Sequence, residues 1–234
     1  MKAWKKILPA VAVLGLVLTA CGQKKSDNSD ASSSTSTTQT SKMSSSSSSS
    51  SNDKIADKLG NEKLPQNNGL DSNQSVNAKL DGNKTNFTIS YLNNGSTYAT
   101  YTKHSYESDA AAMQQVGYQA AANVAGLPSV NLGYNVVGHS DKGAGQEYIQ
   151  ANFGNWSLLT HGSNFGKYKG AATTKGKTVV NYIQSHNLPV PESKGSITAE
   201  IDGSATITWQ MGNDVYSIKA NSLNTALEMV TSLK

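Results

Sequence analysis

One segment of the chain ends like a phosphate-binding loop. Residues 170–178 read Gly-Ala-Ala-Thr-Thr-Lys-Gly-Lys-Thr, with the Gly-Lys-Thr ending of such a loop. The first glycine must stand five residues before the second, so that successive backbone amides can surround the phosphates. That position is Ala171, and Gly170 comes one residue too early. We therefore interpret the segment as a polar loop before a helix over 177–186.

Serine stands close to histidine twice, at His139-Ser140 and at His161-Gly162-Ser163. Neither has the Gly-x-Ser-x-Gly pattern that permits the strained turn of a serine hydrolase, and adjacent side chains point apart. The carboxylates of Glu107 and Asp109 lie at a predicted helix start, where they suit the helix dipole better than a glycosidase pair. We expect no catalytic residues and predict that the chain is not an enzyme.

The four histidines are dispersed, and the folded part of the chain has no cysteine. A zinc site would need at least three such ligands to converge, and none of the histidines follows an HxxxH or HExxH spacing. The sequence therefore predicts no metal and no cofactor. These histidines are His104, His139, His161 and His186.

Aromatic residues offer a candidate ligand platform. Tyr98, Tyr101 and Tyr106 cluster in the sequence, and Trp156 follows a Gly-Asn turn. Flat rings beside Asn, Ser and Thr suit a sugar or a peptide. The alternative is that they pave the inner face of a sheet, which is the commoner use of alternating aromatics. We place Trp209 in the core. For Tyr98, Tyr101, Tyr106 and Trp156, both the ligand platform and the inner face of the sheet stay open.

The first twenty residues are typical of an export signal. Three lysines precede an apolar stretch from Ile7 to Leu18, which Pro9 interrupts. A membrane span needs about 20 apolar residues, whereas this stretch has the length and flanks of a signal-peptide core. The lysines are Lys2, Lys5 and Lys6.

The next residues, Leu18-Thr19-Ala20-Cys21-Gly22, resemble a bacterial lipobox. The resemblance implies cleavage between Ala20 and Cys21, and a diacylglyceryl anchor on Cys21. It places the mature protein on the outer face of the cytoplasmic membrane, with the bilayer as its partner. Cys21 is the only cysteine in the chain, so it has no disulfide partner.

A serine-rich segment follows. Residues 26–51 contain fifteen Ser and four Thr, with Met43 as the only large apolar residue. Such a segment cannot bury enough surface to offset the entropy of ordering, which predicts a disordered tether. It is either a passive tether or a glycosylated stalk. We divide the chain into a signal peptide over 1–20, a lipidated linker over 21–53 and one domain over 54–234.

The charge distribution argues against a nucleic-acid partner. The net charge is +4, and the lysines before Cys21 supply three of these charges. The rest of the chain is nearly neutral and has no Arg, whereas a nucleic-acid surface needs clustered positive charge.

Within the domain, strand patterns and helix patterns alternate as three β-β-β-α units. The turn signals are Asp81-Gly82, Asn94-Gly95 and Asp202-Gly203. The first unit ends in a helix capped by Ser108, with Met113, Val116, Ala120 and Val124 on one face. The second unit has strands over 134–138, 147–153 and 155–160, and the last unit ends in a helix capped by Ser222. The pattern predicts an α+β domain, an antiparallel sheet with helices on one face.

The chain also resembles a family of surface lipoproteins of lactic-acid bacteria, and its last unit resembles the end of a domain in Gram-positive envelope-stress regulators. Both resemblances imply location and fold, and neither supplies catalytic residues. We therefore expect a protein that binds or senses an envelope or extracellular ligand, such as a cell-wall fragment or a peptide. A structural or adhesive protein and a cell-wall hydrolase are the alternatives, and the oligomeric state stays open. The shared phrases are Leu64-Pro65, Gly69-Leu70, Gly126-Leu127-Pro128-Ser129-Val130, Gly143-Ala144-Gly145-Gln146, Gly154-Asn155-Trp156-Ser157, Lys194-Gly195-Ser196-Ile197 and Ile207-Thr208-Trp209-Gln210.

Overall fold

A computed structural model describes residues 46–234, with side chains from residue 53 onward. The predicted signal peptide, Cys21 and most of the predicted linker lie outside the described residues. The first helix, α1, spans Ser46–Leu59 and therefore begins within the segment predicted as linker. No helix in the described part of the chain is long and apolar enough to cross a membrane.

The domain contains four α-helices and ten strands within the described residues. The helices are α1, α2 (Asp109–Gln115), α3 (Ala171–Ile183) and α4 (Leu223–Thr231). The strands are β1 (Val76–Gly82), β2 (Phe87–Asn93), β3 (Ser96–Ser105), β4 (Ser129–Gly133), β5 (Val136–Gly143), β6 (Gln146–Phe153), β7 (Trp156–Ser163), β8 (Gly195–Ala199), β9 (Ala205–Met211) and β10 (Asp214–Ala220).

All ten strands form one open sheet in the order β1-β2-β3-β10-β9-β8-β7-β6-β5-β4. Neighbouring strands are antiparallel except β7 and β8, which the α3 crossover makes parallel. The last β-β-β-α group thus lies between the first and the middle group. The α+β prediction is confirmed.

The middle group has four strands before α3, one more than the sequence predicted. Tyr134 and Asn135, with φ values of 49° and 62°, form the turn between β4 and β5. Two successive residues in the left-handed region make the type of turn that joins antiparallel strands closely. The predicted strand over 134–138 is therefore wrong at its first two residues, and β5 begins at Val136.

One face of the sheet is apolar and carries α1, α3 and α4; we call it the helix face. A row of buried residues crosses it on seven adjacent strands, each beside the next in register: Ile89, Tyr101, Ile218, Ile207, Ile197, Leu158 and Ala151. Helix α3 packs closely on β7, because Thr160 Oγ1 donates a 2.7 Å hydrogen bond to the carbonyl of Ala172. Gly162 lies beneath the same helix, where an added Cβ would be 2.6 Å from the amide nitrogen of Ala172.

Two helix boundaries differ from the predictions. Helix α3 begins at Ala171, so the segment interpreted as a polar loop forms its first half. Helix α2 is capped by Ser108 as predicted, but it ends at Gln115, and Met113 is 45 % exposed. Gly117, with a φ of 71°, stops the helix before the predicted apolar face is complete.

The opposite face of the sheet is polar over its central strands, and residues 109–127 lie across it. We call residues 109–127 the strap; they contain α2 and the 3₁₀ turn Ala121–Val124. Side chains of the sheet bind the backbone of the strap directly, which satisfies polar groups that would otherwise be buried without partners. The pairs are Gln210 Nε2 to Asp109 O (2.8 Å), Ser196 Oγ to Val116 O (2.5 Å), Asn152 Nδ2 to Gln119 O (2.8 Å), Gln150 Nε2 to Ala120 O (2.8 Å) and the amide of Gln119 to Ser157 Oγ (3.1 Å).

Candidate functional site

A cavity of about 970 Å³ lies on the helix face at one end of the sheet. Its floor comes from β3, β9 and β10, and its walls come from the end of α1, residues 61–63, residues 187–190 and the end of α4. This is the size of the clefts that enclose small-molecule ligands. The site is therefore assembled from segments far apart in sequence.

Three aromatic rings on the floor lie nearly parallel. The ring of Trp209 is 6.2 Å from that of Tyr101 and 5.5 Å from that of Tyr216, with interplanar angles of 11° and 12°. Trp209 is 3 % exposed, which confirms its predicted core position, and Tyr101 is 1 % exposed. Tyr216 is the half-buried member, so its ring is the most accessible of the three.

A buried ammonium group lies beside these rings. Lys103 pairs with Glu62 and, at 3.0 Å, with Asp214, and its side chain is 10 % exposed. Its Nζ atom is also 5.5 Å from the centroid of the Tyr216 ring. Burial alone would lower the pKa of Lys103, but the hydrogen bonds to Glu62 and Asp214 outweigh it and raise that pKa above its ordinary value.

The Tyr216 hydroxyl completes this network by donating a 3.0 Å hydrogen bond to Glu62 Oε2. Burial first, and then the charge of Glu62, raise the pKa of Tyr216 to about 12. The phenol is therefore a neutral hydrogen-bond donor across the ordinary pH range. Lysine, two carboxylates and a phenol hold one another in fixed positions at the base of the cavity.

Apolar side chains surround the opening. Val190 is 81 % exposed and Met211 is 38 % exposed, and both line the cavity with Leu188 and Pro189. The cavity thus combines an apolar rim, an aromatic floor and, beside that floor, a fixed ion network. This arrangement suits an amphipathic ligand, one with a flat or apolar body and a polar end.

The four predicted platform residues do not form one surface. Only Tyr101 lines the cavity. Tyr98 donates its hydroxyl to the carbonyl of Asn68 at 3.0 Å, and the Tyr106 ring packs edge-on against His104 at 4.5 Å. Trp156 is 6 % exposed, and a Cβ on Gly195 would lie 2.6 Å from its ring. Of the two alternatives left open for Trp156, the structure shows burial in the sheet, because β7 begins at this residue and its indole is buried.

The serine and histidine candidates have separate partners. Ser140 donates to Glu147 at 3.0 Å, whereas His139 lies 3.2 Å from the carbonyl of Leu127 in the strap. The rings of His161 and His186 stack on Tyr148 and Tyr182 at 4.2 Å and 4.0 Å. Within the described part of the chain, no group of three or more His, Cys, Asp or Glu side chains is placed to hold a metal ion.

Sequence reasoning missed the charged residues of the cavity. Lys103 was the available signal, because it continues the inward-facing series Ala99, Tyr101 in β3 and so puts a charge on the apolar side of the sheet. A charge at such a position requires a partner. Glu62 gave no signal, since it lies in a polar stretch before the first strand and meets Lys103 only in the folded chain.

Comparison of the chain with protein-family models, with curated proteins and with solved structures found no match.

Proposed function

We propose that this chain is a lipid-anchored extracytoplasmic protein that binds a small envelope or extracellular ligand in the cavity beside Lys103, without chemical conversion. The cavity, with its aromatic floor and its fixed ion network, carries the binding part of this proposal. The resemblance of residues 18–22 to a lipobox supports the anchor.

The ligand class follows from the lining. The lining includes apolar and aromatic side chains that can pack against a sugar ring or an apolar side chain of a ligand. They are Trp209, Tyr216 and Val190. Asn61 and Asn187 line the walls and supply amide donors and acceptors. Fragments of cell-wall glycopeptide and short peptides have both kinds of group, so they are the first ligands to test.

Ligand binding can be measured by the fluorescence of Trp209, because Trp209 lines the cavity and Trp156 does not. In the mature chain a Trp156→Phe variant keeps Trp209 as the only tryptophan, and Trp209→Phe keeps only Trp156. We expect titration with cell-wall fragments or peptides to change the fluorescence of the first variant in a saturable way and to leave the second unchanged. The absence of saturable binding across cell-wall fragments, peptides and lipids would contradict the proposal.

A pair of surface variants locates the binding. Met211→Ala removes an apolar side chain from the rim, and Ile201→Ala removes a similarly exposed one from a turn that does not line the cavity. We expect weaker binding from Met211→Ala alone, by about tenfold for one apolar contact. Equal effects of the two changes would place the ligand elsewhere.

The anchor is tested separately. We expect the wild-type protein to partition into a detergent phase after extraction from cells, and Cys21→Ala to move to the aqueous phase, because two acyl chains dominate such partitioning. A mature Cys21→Ala protein that still partitions with detergent would contradict the anchor and leave the ligand measurement unaffected.

A further inference from the structure

The loop that joins β7 to α3 presents two aromatic rings to solvent. We call residues 163–170 the β7–α3 loop; its sequence is Ser-Asn-Phe-Gly-Lys-Tyr-Lys-Gly. Phe165 is 75 % exposed and Tyr168 is 58 % exposed. Large exposed aromatics carry a free-energy penalty in water, so their pairing on one short loop calls for a partner.

The loop holds these rings outward in a defined conformation. The amide of Asn164 donates to the carbonyl of Gly145 in the neighbouring turn at 2.8 Å, which fixes the base of the loop. The Phe165 amide bonds Ser163 Oγ at 3.2 Å, and the Tyr168 amide bonds the Phe165 carbonyl at 3.1 Å. The backbone that carries the two exposed rings is therefore held in a defined conformation.

Positive charge accompanies the rings. Lys167 and Lys169 are exposed and form no ion pair within the described chain, and the loop has no acidic residue. The Lys167 ammonium lies 5.1 Å from the Tyr168 ring, so cation and ring occupy the same patch. Acidic side chains at this end of the sheet include Asp141 in β5, Glu147 in β6, and Glu200 and Asp202 in the β8–β9 turn. Glu147 is buried and pairs with Lys142 at 3.2 Å. Glu200 faces His161 at 3.5 Å, and Asp202 accepts a 2.7 Å bond from Ser204.

We propose that the β7–α3 loop is a membrane contact that docks on an anionic bilayer surface through Phe165, Tyr168, Lys167 and Lys169. Aromatic rings prefer the boundary between headgroups and acyl chains, where an apolar body and a polar edge are both satisfied. Lysines beside them are attracted to anionic headgroups. Charge complementarity selects a bilayer over a neutral partner, because two unpaired cations flank the rings.

This docking sets the orientation of the domain. The loop follows the last residue of β7, whereas the cavity lies at the opposite end of the strands, beside Met211 and Asp214. Strands of seven to eight residues separate the two ends by roughly 25 Å. A docked loop therefore points the cavity away from the bilayer and toward the wall. The consequence for ligand access rests on the proposed function of the cavity. The membrane contact of the loop does not depend on that function.

The contact is tested by vesicle sedimentation of the mature chain, residues 21–234, carrying Cys21→Ser so that no acyl chain contributes. All described residues are retained. We expect the protein to sediment with vesicles of phosphatidylglycerol and phosphatidylcholine, more weakly with phosphatidylcholine alone, and less at high salt. Replacing both Lys167 and Lys169 by Gln is expected to weaken binding to the anionic vesicles by roughly thirtyfold. Phe165→Ser with Tyr168→Ser is expected to weaken it by more than about tenfold.

Matched controls come from exposed residues elsewhere. Lys79→Gln with Lys177→Gln removes the same charge from β1 and α3, and Tyr134→Ser removes an aromatic that is 61 % exposed in the β4–β5 turn. Both should bind vesicles like the parent chain. The proposal is overturned if the parent does not bind anionic vesicles, or if loop and control variants lose binding equally. Neither lipidation nor cavity occupancy enters this readout.

Orientation is measured with brominated lipids that quench tryptophan within the acyl region. In a mature chain with Trp156→Phe and Trp209→Phe, Phe165→Trp places the single tryptophan on the loop as a reporter, and Tyr134→Trp places it at the opposite end of the sheet. We expect quenching of the first reporter and none of the second on anionic vesicles. Quenching of the Tyr134→Trp reporter would overturn the assigned orientation.

Discussion

The Tyr216 hydroxyl donates a hydrogen bond to Glu62 Oε2 at 3.0 Å, across 154 positions of the chain. This bond joins β10 to the segment that follows α1, and Lys103 from β3 binds the same carboxylate. The side chain of Glu62 is 16 % exposed, so the connection is shielded from most of the solvent. Glu62 thus links the cavity wall formed by residues 61–63 to both β3 and β10.

Glu62→Ala should therefore destabilise the domain. The substitution leaves Lys103 with Asp214 as its remaining partner and removes the acceptor of the Tyr216 hydroxyl. Breaking a buried ion pair costs about 3–5 kcal/mol, and the remaining partner reduces that loss, so we expect about 2 kcal/mol. Urea unfolding followed by circular dichroism measures the free energy of unfolding.

Lys177→Gln is the control for this change, because Lys177 is exposed on α3 and forms no ion pair in the described chain. It should alter the free energy of unfolding by less than about 0.5 kcal/mol. Equal stability of Glu62→Ala and Lys177→Gln would show that the buried network does not fasten the cavity wall.

Gly162→Ala should destabilise the contact between β7 and α3. The added methyl would lie 2.6 Å from the backbone nitrogen of Ala172, so the helix must shift. Overpacking of this kind costs about 1–3 kcal/mol. Gly143→Ala, at the end of β5, is the matched control, since an added Cβ there meets no atom within 4 Å. Thermal unfolding of the two variants compares them, and a Gly162→Ala protein as stable as the control would contradict the close contact.

The last β-β-β-α group shows what the sequence could predict. Asp202-Gly203 forms the predicted turn, with a φ of 95° at Gly203, and Ser222 caps α4 by accepting from the Thr225 amide at 3.1 Å. Both are local features, in which the side chain that decides the structure lies within three residues of the backbone it acts on. Alternation of apolar residues in β9 and β10 likewise specified the buried face.

Features that depend on distant segments could not be predicted. The apolar spacing within the strap predicted one helix and gave no sign that the segment lies across the polar face, because Gln150 and Ser196 hold it there through its carbonyl groups. The order of the strands, with β10 beside β3, depends on packing across the whole sheet. The Glu62–Lys103 pair has the same origin. From sequence, the candidate site was accessible only through Tyr101, one of the proposed platform residues, and through the inward-facing Lys103.

The strap makes a prediction of its own. Asn152 Nδ2 binds the carbonyl of Gln119 at 2.8 Å and the Tyr118 hydroxyl at 3.1 Å, so Asn152→Ala removes two attachments at once. We expect faster amide hydrogen exchange in residues 117–127, with little change in the sheet, because local opening requires only the strap to detach. Asn77→Ala in the exposed part of β1 is the control. Unchanged exchange in the strap would mean that this side chain does not hold it.

Alkaline pH should destabilise the domain through its half-buried phenols. Burial raises the pKa of Tyr98 to about 12, and burial together with Glu62 raises that of Tyr216 to about 12, from an ordinary value of 10.0. Between these values the unfolded chain releases phenolic protons that the folded chain retains. The free energy of unfolding therefore falls as pH rises from 10 to 12, and full stability is present below pH 10. Lys103 acts in the same direction, because its raised pKa keeps the ion network charged in the folded state after the unfolded lysine has lost its proton.

Tyr98→Phe separates this titration from a general effect of alkali. The variant loses the hydrogen bond to the Asn68 carbonyl, so at neutral pH it should be less stable by about 1 kcal/mol. It also has one phenolic proton fewer to release on unfolding, so its stability should fall less steeply above pH 10. The urea midpoints of the wild type and the variant should therefore converge as the pH approaches 12. If the urea midpoints of the two proteins instead fall in parallel with pH, Tyr98 has the same pKa in the folded and unfolded chain, and its burial does not keep the phenol protonated.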